Sequence, residues 1–525
     1  MPKDVSIVLE PQKAGDDGLI RKALIDRLAI EPDRLGAYRL IHKSVDARRG
    51  RVKVHLKLRV FDAGEAKELD APCFQFRDVR GQAPVIIVGA GPAGLFAALR
   101  LIERGIKPLI IERGKPVGER KRDIARLNRG NPVDGDSNYA FGEGGAGTFS
   151  DGKLFTRSRK RKDVSRILHL LHQHGANARI LYDAHPHIGT NRLPAIIVRL
   201  RETILAHGGE FLFNQRVSGL LVDGGKAKGV IGKDGQKFEG QAVVLATGHS
   251  AREVFRYLHA RQFAIEAKPF AMGVRVEHLQ ELIDSIQYHG LPRDEYLPAA
   301  SYQLIEQVDG RGVYSFCMCP GGMIVPAATA SDEVVVNGMS NSLRDSPFAN
   351  SGMVVEIRLE DLADWKHLGP LAGLAFQQQL EQLAAIHGGG GVQAPAQRLL
   401  DFVEGRVSAD LPKCSYHPGI RSSALHEWLP ELIGDRLQKG FRAFGRKMKG
   451  FLTHEALIVG VESRTSSPLR IPRHPATLQH IQLSGFYPCG EGAGYAGGIV
   501  SSALDGQRAA EALASWLKAK ADKTN

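Results

Sequence analysis

The sequence predicts an α/β protein: a parallel-sheet core, a mixed α+β insert that interrupts it, and a small α+β module in front. Three observations predict this. The first is Pro84-Val-Ile-Ile-Val88, then Gly89-Ala-Gly91-Pro92-Ala93-Gly94, then Ile110-Ile-Glu112-Arg113. It reads as a buried strand, a glycine turn, a helix, a second strand and a terminal acid within about 30 residues. The second is Ala242-Val-Val-Leu-Ala246, another buried strand, which ends at Thr247-Gly248-His249. The third lies near the end of the chain: a short strand reaches Cys489-Gly490-Glu491, and a helix runs from Gly498 toward Leu517.

The first run is a Rossmann-type dinucleotide fingerprint. Gly89 permits the tight turn, Gly91 lets a pyrophosphate approach the backbone, and Gly94 lets the helix lie close on the strand. The helix that starts near Pro92 turns free N–H groups and the positive end of its dipole toward that pyrophosphate. Glu112 stands about 20 residues on, where an acid accepts from a ribose 2′-hydroxyl. Strand, helix and acid together make this far more specific than a glycine triplet alone.

At 525 residues, with 43% hydrophobic and 24% charged residues, the chain can form two or three domains with substantial cores. The first residues lack an apolar signal core, and no run of about 20 apolar residues exists to span a membrane. A cytoplasmic location is the expectation. Cys73, Cys317, Cys319, Cys414 and Cys489 are too few and too unevenly spaced for a disulfide framework, and without a C-x-x-C pair no metal site is expected. The net charge of +13 is diffuse. Its densest run, Arg157-Ser-Arg159-Lys160-Arg161-Lys162, reads as a solvated loop entering a helix. A second basic stretch, 436–449, interleaves Leu437, Phe441, Phe444 and Met448 and so reads as an amphipathic helix with a buried face.

Four segments follow. Residues 1–80 form a βαββ module, a candidate docking surface for a protein partner. Residues 81–255 hold the first part of the nucleotide-binding core, 256–475 the insert, and 476–525 the last part of the core. Between 138 and 154 the chain is too rich in glycine for a regular element, yet Phe141, Phe149 and Leu154 need burial. It is therefore expected to fold tightly against a flat ligand. Gly388-Gly-Gly-Gly391 follows a helical pattern rather than a strand and reads as a helix-ending loop.

These segments together resemble the two-domain FAD-binding fold of the glutathione-reductase type. More closely, the chain resembles a family of bacterial FAD-dependent dehydrogenases. The resemblance rests on the stretch from Phe141-Gly-Glu-Gly to Asp-Gly-Lys153-Leu154, on Pro186-His-Ile-Gly-Thr190, and on Phe316-Cys-Met-Cys-Pro-Gly-Gly322. It continues in Gly460-Val-Glu-Ser-Arg-Thr-Ser-Ser-Pro468 and in Cys489-Gly-Glu-Gly-Ala-Gly-Tyr-Ala-Gly-Gly498. It covers roughly residues 80–515. The resemblance implies FAD as cofactor. Gly89, Gly91, Pro92, Ala93 and Gly94 would hold its pyrophosphate, Glu112 with Arg113 the adenosine ribose, and the backbone of Val217 the adenine. Thr247, Gly248, Gly490 and Glu491 would line the middle of the cofactor. Gly144, Gly145 and Ala146 would lie beside the isoalloxazine, with Gly498 and Ile499 bringing a helix N-terminus to its N1–C2=O edge.

The expected activity is that of an FAD-dependent oxidoreductase, moving hydride to or from an organic substrate between core and insert. With a single fingerprint, NAD(P)H, if it takes part, binds transiently without a domain of its own. Candidate catalytic groups are Lys153, Cys317 and Arg464. Lys153 and Arg464 could bind a substrate anion or pin a loop. Cys317 and Cys319 could form a redox pair, but buried thiols are the plainer expectation. His187, His249 and Glu462 are polar groups of similar standing. Two other classes remain open. One is an RNA-modifying flavoprotein that uses the basic runs; the other is an interaction protein whose FAD is structural.

Overall fold

The computed structural model describes residues 2–48, 50–65, 72–156, 161–294 and 296–522. At the N-terminus, β1 (Lys3–Leu9), α1 (Asp17–Leu28), β2 (Leu35–Asp46) and β3 (Lys53–Asp62) give the βαββ order expected. The sheet is antiparallel in the order β1-β3-β2. Alternation along β3 places Val54, Leu56, Leu58 and Val60 in one core with Val5, Ile7 and Leu24. Asp16 caps α1 by accepting the Leu19 amide at 3.0 Å. The module is tied to the rest through β2: the Lys43 amide donates to Tyr182 at 2.8 Å, and Ala184 donates back to Lys43 at 2.9 Å.

The core is a five-stranded parallel sheet. It runs from the strand Phe486–Pro488 through β10 (Val243–Leu245), β4 (Val85–Val88) and β5 (Pro108–Ile111) to β6 (Glu210–Leu212). Both faces are covered, which is why β4 and β5 are unbroken apolar runs. On one face Ile87 and Ile110 pack with α2 (Pro92–Glu103), α5 (Leu193–Ala206) and the C-terminal helix Ile499–Ala521. On the other face Ile86, Val88 and Leu109 meet an antiparallel meander, β7 (Val217–Asp223), β8 (Lys226–Gly232) and β9 (Lys237–Glu239), and α6 (Arg252–Ala260). The remaining helices of this part are α3 (Val117–Asn128) and α4 (Arg161–Gln173). Most of the expected basic loop, 157–160, falls outside the described residues.

The insert carries a seven-stranded sheet centred on Phe270–Leu279. That strand pairs along its whole length with Phe348–Ile357 and, on its other side, with Leu457–Glu462. The helix Glu431–Lys447 lays Leu437, Phe441 and Phe444 into the core of this sheet, as its sequence pattern predicted. Three of its cations are engaged within the chain: Lys439 with Asp309, Arg442 with the Val403 carbonyl, Lys447 with Glu306. Among the described residues no helix is long and apolar enough to cross a membrane.

His278 gives this core a pH dependence. It is 1% exposed, Nε2 bonds the Phe451 carbonyl at 2.8 Å, and burial pushes its pKa down to about 4. A histidine held neutral in the folded state but free to protonate when unfolded stabilises fully above its unfolded pKa. That contribution is lost as pH falls from about 6.5 toward 4, roughly 3 kcal/mol in all. Urea unfolding midpoints measured from pH 7 to pH 4.5 should therefore fall. In His278→Gln, which can still donate to Phe451 but cannot titrate, the slope should be shallower; an unchanged slope would contradict the assignment.

Candidate active site

The turn after β4 carries a backbone that a side chain could not follow. Gly89 has φ +103°, and a Cβ there would lie 2.9 Å from the Ala246 carbonyl. A Cβ on Gly94 would stand 2.0 Å from the Gly89 carbonyl oxygen, so this glycine is demanded by helix–strand contact. Gly91, the N-cap of α2, differs from both. A Cβ there would meet only the Gly145 Cα, at 3.9 Å. The space over the helix N-terminus is open, and Pro92 occupies N1 as it does at many helix starts.

The glycine-rich loop after α3 closes over this opening. Gly145 has φ +61°, and a Cβ on it would stand 3.1 Å from the Gly91 Cα; a Cβ on Gly147 would lie 3.3 Å from Ile499 Cγ1. Loop 142–147, the N-terminus of α2 and the start of the C-terminal helix therefore converge. Glu112 fixes the loop. It is 5% exposed, and its carboxylate accepts the amides of Ala90 (2.9 Å), Gly114 (2.9 Å) and Gly142 (3.0 Å). Spacing alone did not reveal this backbone role. One acceptor position remains on Oε2, which takes only the Ala90 amide. Arg113 is engaged by Asp136 (2.6 Å) and Glu253 (2.7 Å) and lies 3.9 Å over the Phe141 ring.

Other expected residues lie on the turn after β10, on the C-terminal segment and on β7. The turn at Thr247-Gly248 meets the C-terminal segment, where a Cβ on Gly492 would strike the Thr247 carbonyl at 2.2 Å. Gly490 has φ +79°, touches Ala93 and donates to Asp505 at 2.8 Å. Glu491 lies 3.1 Å from His249 Nδ1. Gly248 and Gly497 face open space. Val217 lines a cleft of about 310 Å³ together with Val88, Leu245, Glu253 and Tyr257. Two helix N-termini meeting beside glycines whose Cβ positions are open suit an anionic dinucleotide: donors and positive dipole ends meet its negative charge.

Beside the loop stands a second cluster. Lys153 Nζ is 3.4 Å from Cys319 Sγ, 3.5 Å from Cys317 Sγ and 3.5 Å from Asp151. Asp151 also binds Ser340 and, at 3.3 Å, Arg344, while Lys153 and His187 share a β-bridge. Cys319 is buried, but Cys317 is exposed, contrary to the expectation of two buried thiols. The reason is local: the pairing of strand Arg311–Cys319 shifts register between Phe316 and Cys319, and Cys317 sits at φ +48°. Burial and the neighbouring Arg344 push the His187 pKa down to about 4, so His187 is neutral at pH 7. Glu462 pairs with the fully buried Arg275 at 2.7 Å.

Arg464 is placed elsewhere. It belongs to a buried cluster with Arg252, Glu333 and Glu381 that joins α6 to the insert. All its N–H groups are engaged, by Glu381, Glu333, Ser250 and Thr329, which leaves none for a substrate anion. It ties the insert to the turn at Ser250. Among the described residues no group of three or more His, Cys, Asp or Glu could hold a metal ion.

An FAD-dependent protein C-terminal domain-like model matches residues 269–465, an FAD binding domain 82–122, and an FAD dependent oxidoreductase model 184–347. A domain of unknown function matches 1–61. An uncharacterised protein of Clostridium beijerinckii is 39% identical over 515 residues, 94% of this chain and 96% of that protein. Solved structures are more distant. CtdE in complex with FAD is 14% identical, with 83% of this chain and 85% of that one covered at a TM-score of 0.33. A geranylgeranyl bacteriochlorophyll reductase-like protein from Thermoplasma acidophilum is 12% identical, with 84% and 80% covered at 0.35. Likeness at that level says nothing of a reaction. The fingerprint, the cradle and the matched domains agree with one another, and the chain belongs to a family of FAD-dependent oxidoreductases.

Proposed function

We propose that the protein passes hydride through bound FAD, to or from an organic substrate held between the parallel-sheet core and the insert. The observation that carries this is the convergence of loop 142–147 with the N-termini of α2 and of the helix Ile499–Ala521 on one open cradle. Bound there, FAD supplies the two-electron chemistry. In this reading the backbone amides of Gly91, Ala93 and Gly94 donate to the pyrophosphate, while Gly89, whose amide is bonded to the Ile111 carbonyl, and Pro92, which has no N–H, shape the turn. The free lone pair of Glu112 takes a ribose hydroxyl and Arg113 borders the same end. Val217 meets the adenine; Thr247, Gly248, Gly490 and Glu491 flank the middle. Gly144, Gly145, Ala146, Gly498 and Ile499 enclose the flavin ring. The amides at Gly498 and Ile499 favour negative charge on the ring edge they face, by about 0.3–1 kcal/mol when exposed and more when buried.

A visible spectrum of the purified protein, recorded anaerobically before and after NADH or NADPH, tests the reading. We expect a flavin band that bleaches with a nicotinamide or with the organic substrate. A band that no reductant bleaches would leave only a structural flavin. An RNA-modifying role gains no support from the helix Glu431–Lys447, three of whose cations are engaged within the chain.

A further inference from the structure

We propose that Cys317 is a nucleophilic thiolate and Cys319 its resolving partner, and that together they reduce a low-molecular-weight disulfide. Four observations carry this. Both sulfurs lie at one ammonium, Lys153 Nζ, at 3.5 and 3.4 Å. The ammonium is held from behind by Asp151, itself fixed by Ser340 and Arg344. Cys317 is exposed while Cys319 is buried. And Cys317 occupies the left-handed region at φ +48°, uncommon for a residue with a Cβ, at a break in strand pairing. A thiol that served only as filling would not need a strained turn to bring it out of the sheet.

The charges around the pair divide the work. The hydrogen bond from Cys319 and the positive charges of Lys153 and Arg275 hold the Cys317 thiol well below the usual range, against desolvation of the sulfur by the groups packed around it and the carboxylate of Asp151. Hydrogen bonding to Cys317 and burial push Cys319 the other way. The shared ammonium favours one thiolate between the two sulfurs, and exposure makes Cys317 the one a substrate can reach, with Cys319 behind it to resolve. The second sulfur also selects the substrate class. A lone nucleophile for acyl or alkyl transfer gains nothing from a neighbouring thiol, whereas a mixed disulfide is released by one.

The step balances. The Cys317 thiolate attacks one sulfur of R–S–S–R; a Cys317–S–R bond forms, the substrate S–S bond breaks, and RS⁻ leaves and takes up a proton. Cys319 then loses its proton and attacks the Cys317 sulfur, so that the Cys317–Cys319 bond forms and the second RS⁻ departs. Two electrons have passed from the pair to the substrate. Return to the dithiol takes an electron pair and two protons, for which the reductant is the reduced flavin. That return alone rests on the proposed function.

The test uses the flavin-loaded full-length chain with glutathione disulfide as probe. Alkylation by iodoacetamide at pH 6, followed by peptide mass spectrometry, should label Cys317 at least about tenfold faster than the exposed Cys73. Lys153→Met should remove most of that advantage. With glutathione disulfide, wild-type protein should form the Cys317–Cys319 disulfide, and Cys319→Ser should stop at a glutathione adduct on Cys317. Labelling of Cys317 no faster than Cys73, or no adduct in Cys319→Ser, overturns the proposal. Should Lys153→Met not fold, the wild-type rates and the Cys319→Ser adduct still decide. The flavin band is recorded on the same samples: a yellow protein without the adduct sinks the thiol chemistry alone, whereas a colourless one counts against the flavin reading.

Discussion

Gly91→Glu is expected to give a folded protein that emerges colourless from purification, while Gly94→Val is expected not to fold. The contrast follows from two glycines three residues apart. A Cβ on Gly91 projects into the opening with only Gly145 Cα near it, at 3.9 Å, and its φ of −73° suits any residue. A carboxylate there would occupy the space over the helix N-terminus and offer negative charge to the N–H groups that an anionic cofactor needs. Losing about two charge-assisted hydrogen bonds costs roughly 3 kcal/mol, or about a hundredfold in affinity. At Gly94 the Cβ would stand 2.0 Å from the Gly89 carbonyl, and the C-terminal helix is equally close on the far side, where a Cβ on Gly506 would stand 2.0 Å from the Ala93 carbonyl. Backbone oxygens cannot turn aside as a side chain can. Circular dichroism reports the fold, and the ratio of flavin to protein absorbance reports the cofactor. A Gly91→Glu protein with wild-type flavin content would remove the pyrophosphate from this turn.

The same two glycines show what the sequence made legible. β4, α2 and β5 could be read because a strand buried on both faces must be an unbroken apolar run, and because Gly89 and Gly94 each answer to a local constraint. The helix Glu431–Lys447 could be read from its spacing of Leu437, Phe441 and Phe444. Other features had no local signal. Glu112 stood at the expected distance, but nothing in the spacing says that three backbone amides from different turns converge on its carboxylate. Alternation in the strand Arg311–Cys319 suggests two like-facing, buried cysteines; the register shift that turns Cys317 outward depends on its pairing with the strand Phe348–Ile357. Arg252, Glu333, Glu381 and Arg464 are scattered across the chain and become neighbours only through the tertiary fold.

That scattered cluster sets the second large expectation: Glu381→Leu should destabilise the protein by about 3–5 kcal/mol. Glu381 is 0% exposed and accepts from Arg252 at 2.5 Å, from Arg464 at 2.8 Å and from the Ser463 hydroxyl at 2.6 Å. Burial works to raise its carboxyl, but Arg464 and Arg252 outweigh that and hold it down to about 2. Because the folded pKa lies below the unfolded one, the stabilisation is complete above about pH 4.5 and is lost as pH falls toward 2. Removing the carboxylate leaves two buried guanidinium groups facing Glu333 alone, and the charge left over is the main cost. Arg464→Met made together with Glu381→Leu removes one cation with the anion, so the double variant should recover part of the loss. Thermal unfolding of both variants at pH 7 measures this. A change below about 1 kcal/mol in Glu381→Leu would mean the arginines find water. The fall should also reach the cofactor, since Arg252 opens α6 just after the Thr247-Gly248 turn. Glu381→Leu should therefore release flavin at a lower temperature than it unfolds. If flavin loss and unfolding coincide in both variant and wild type, the cluster secures the fold without reaching the cofactor cradle.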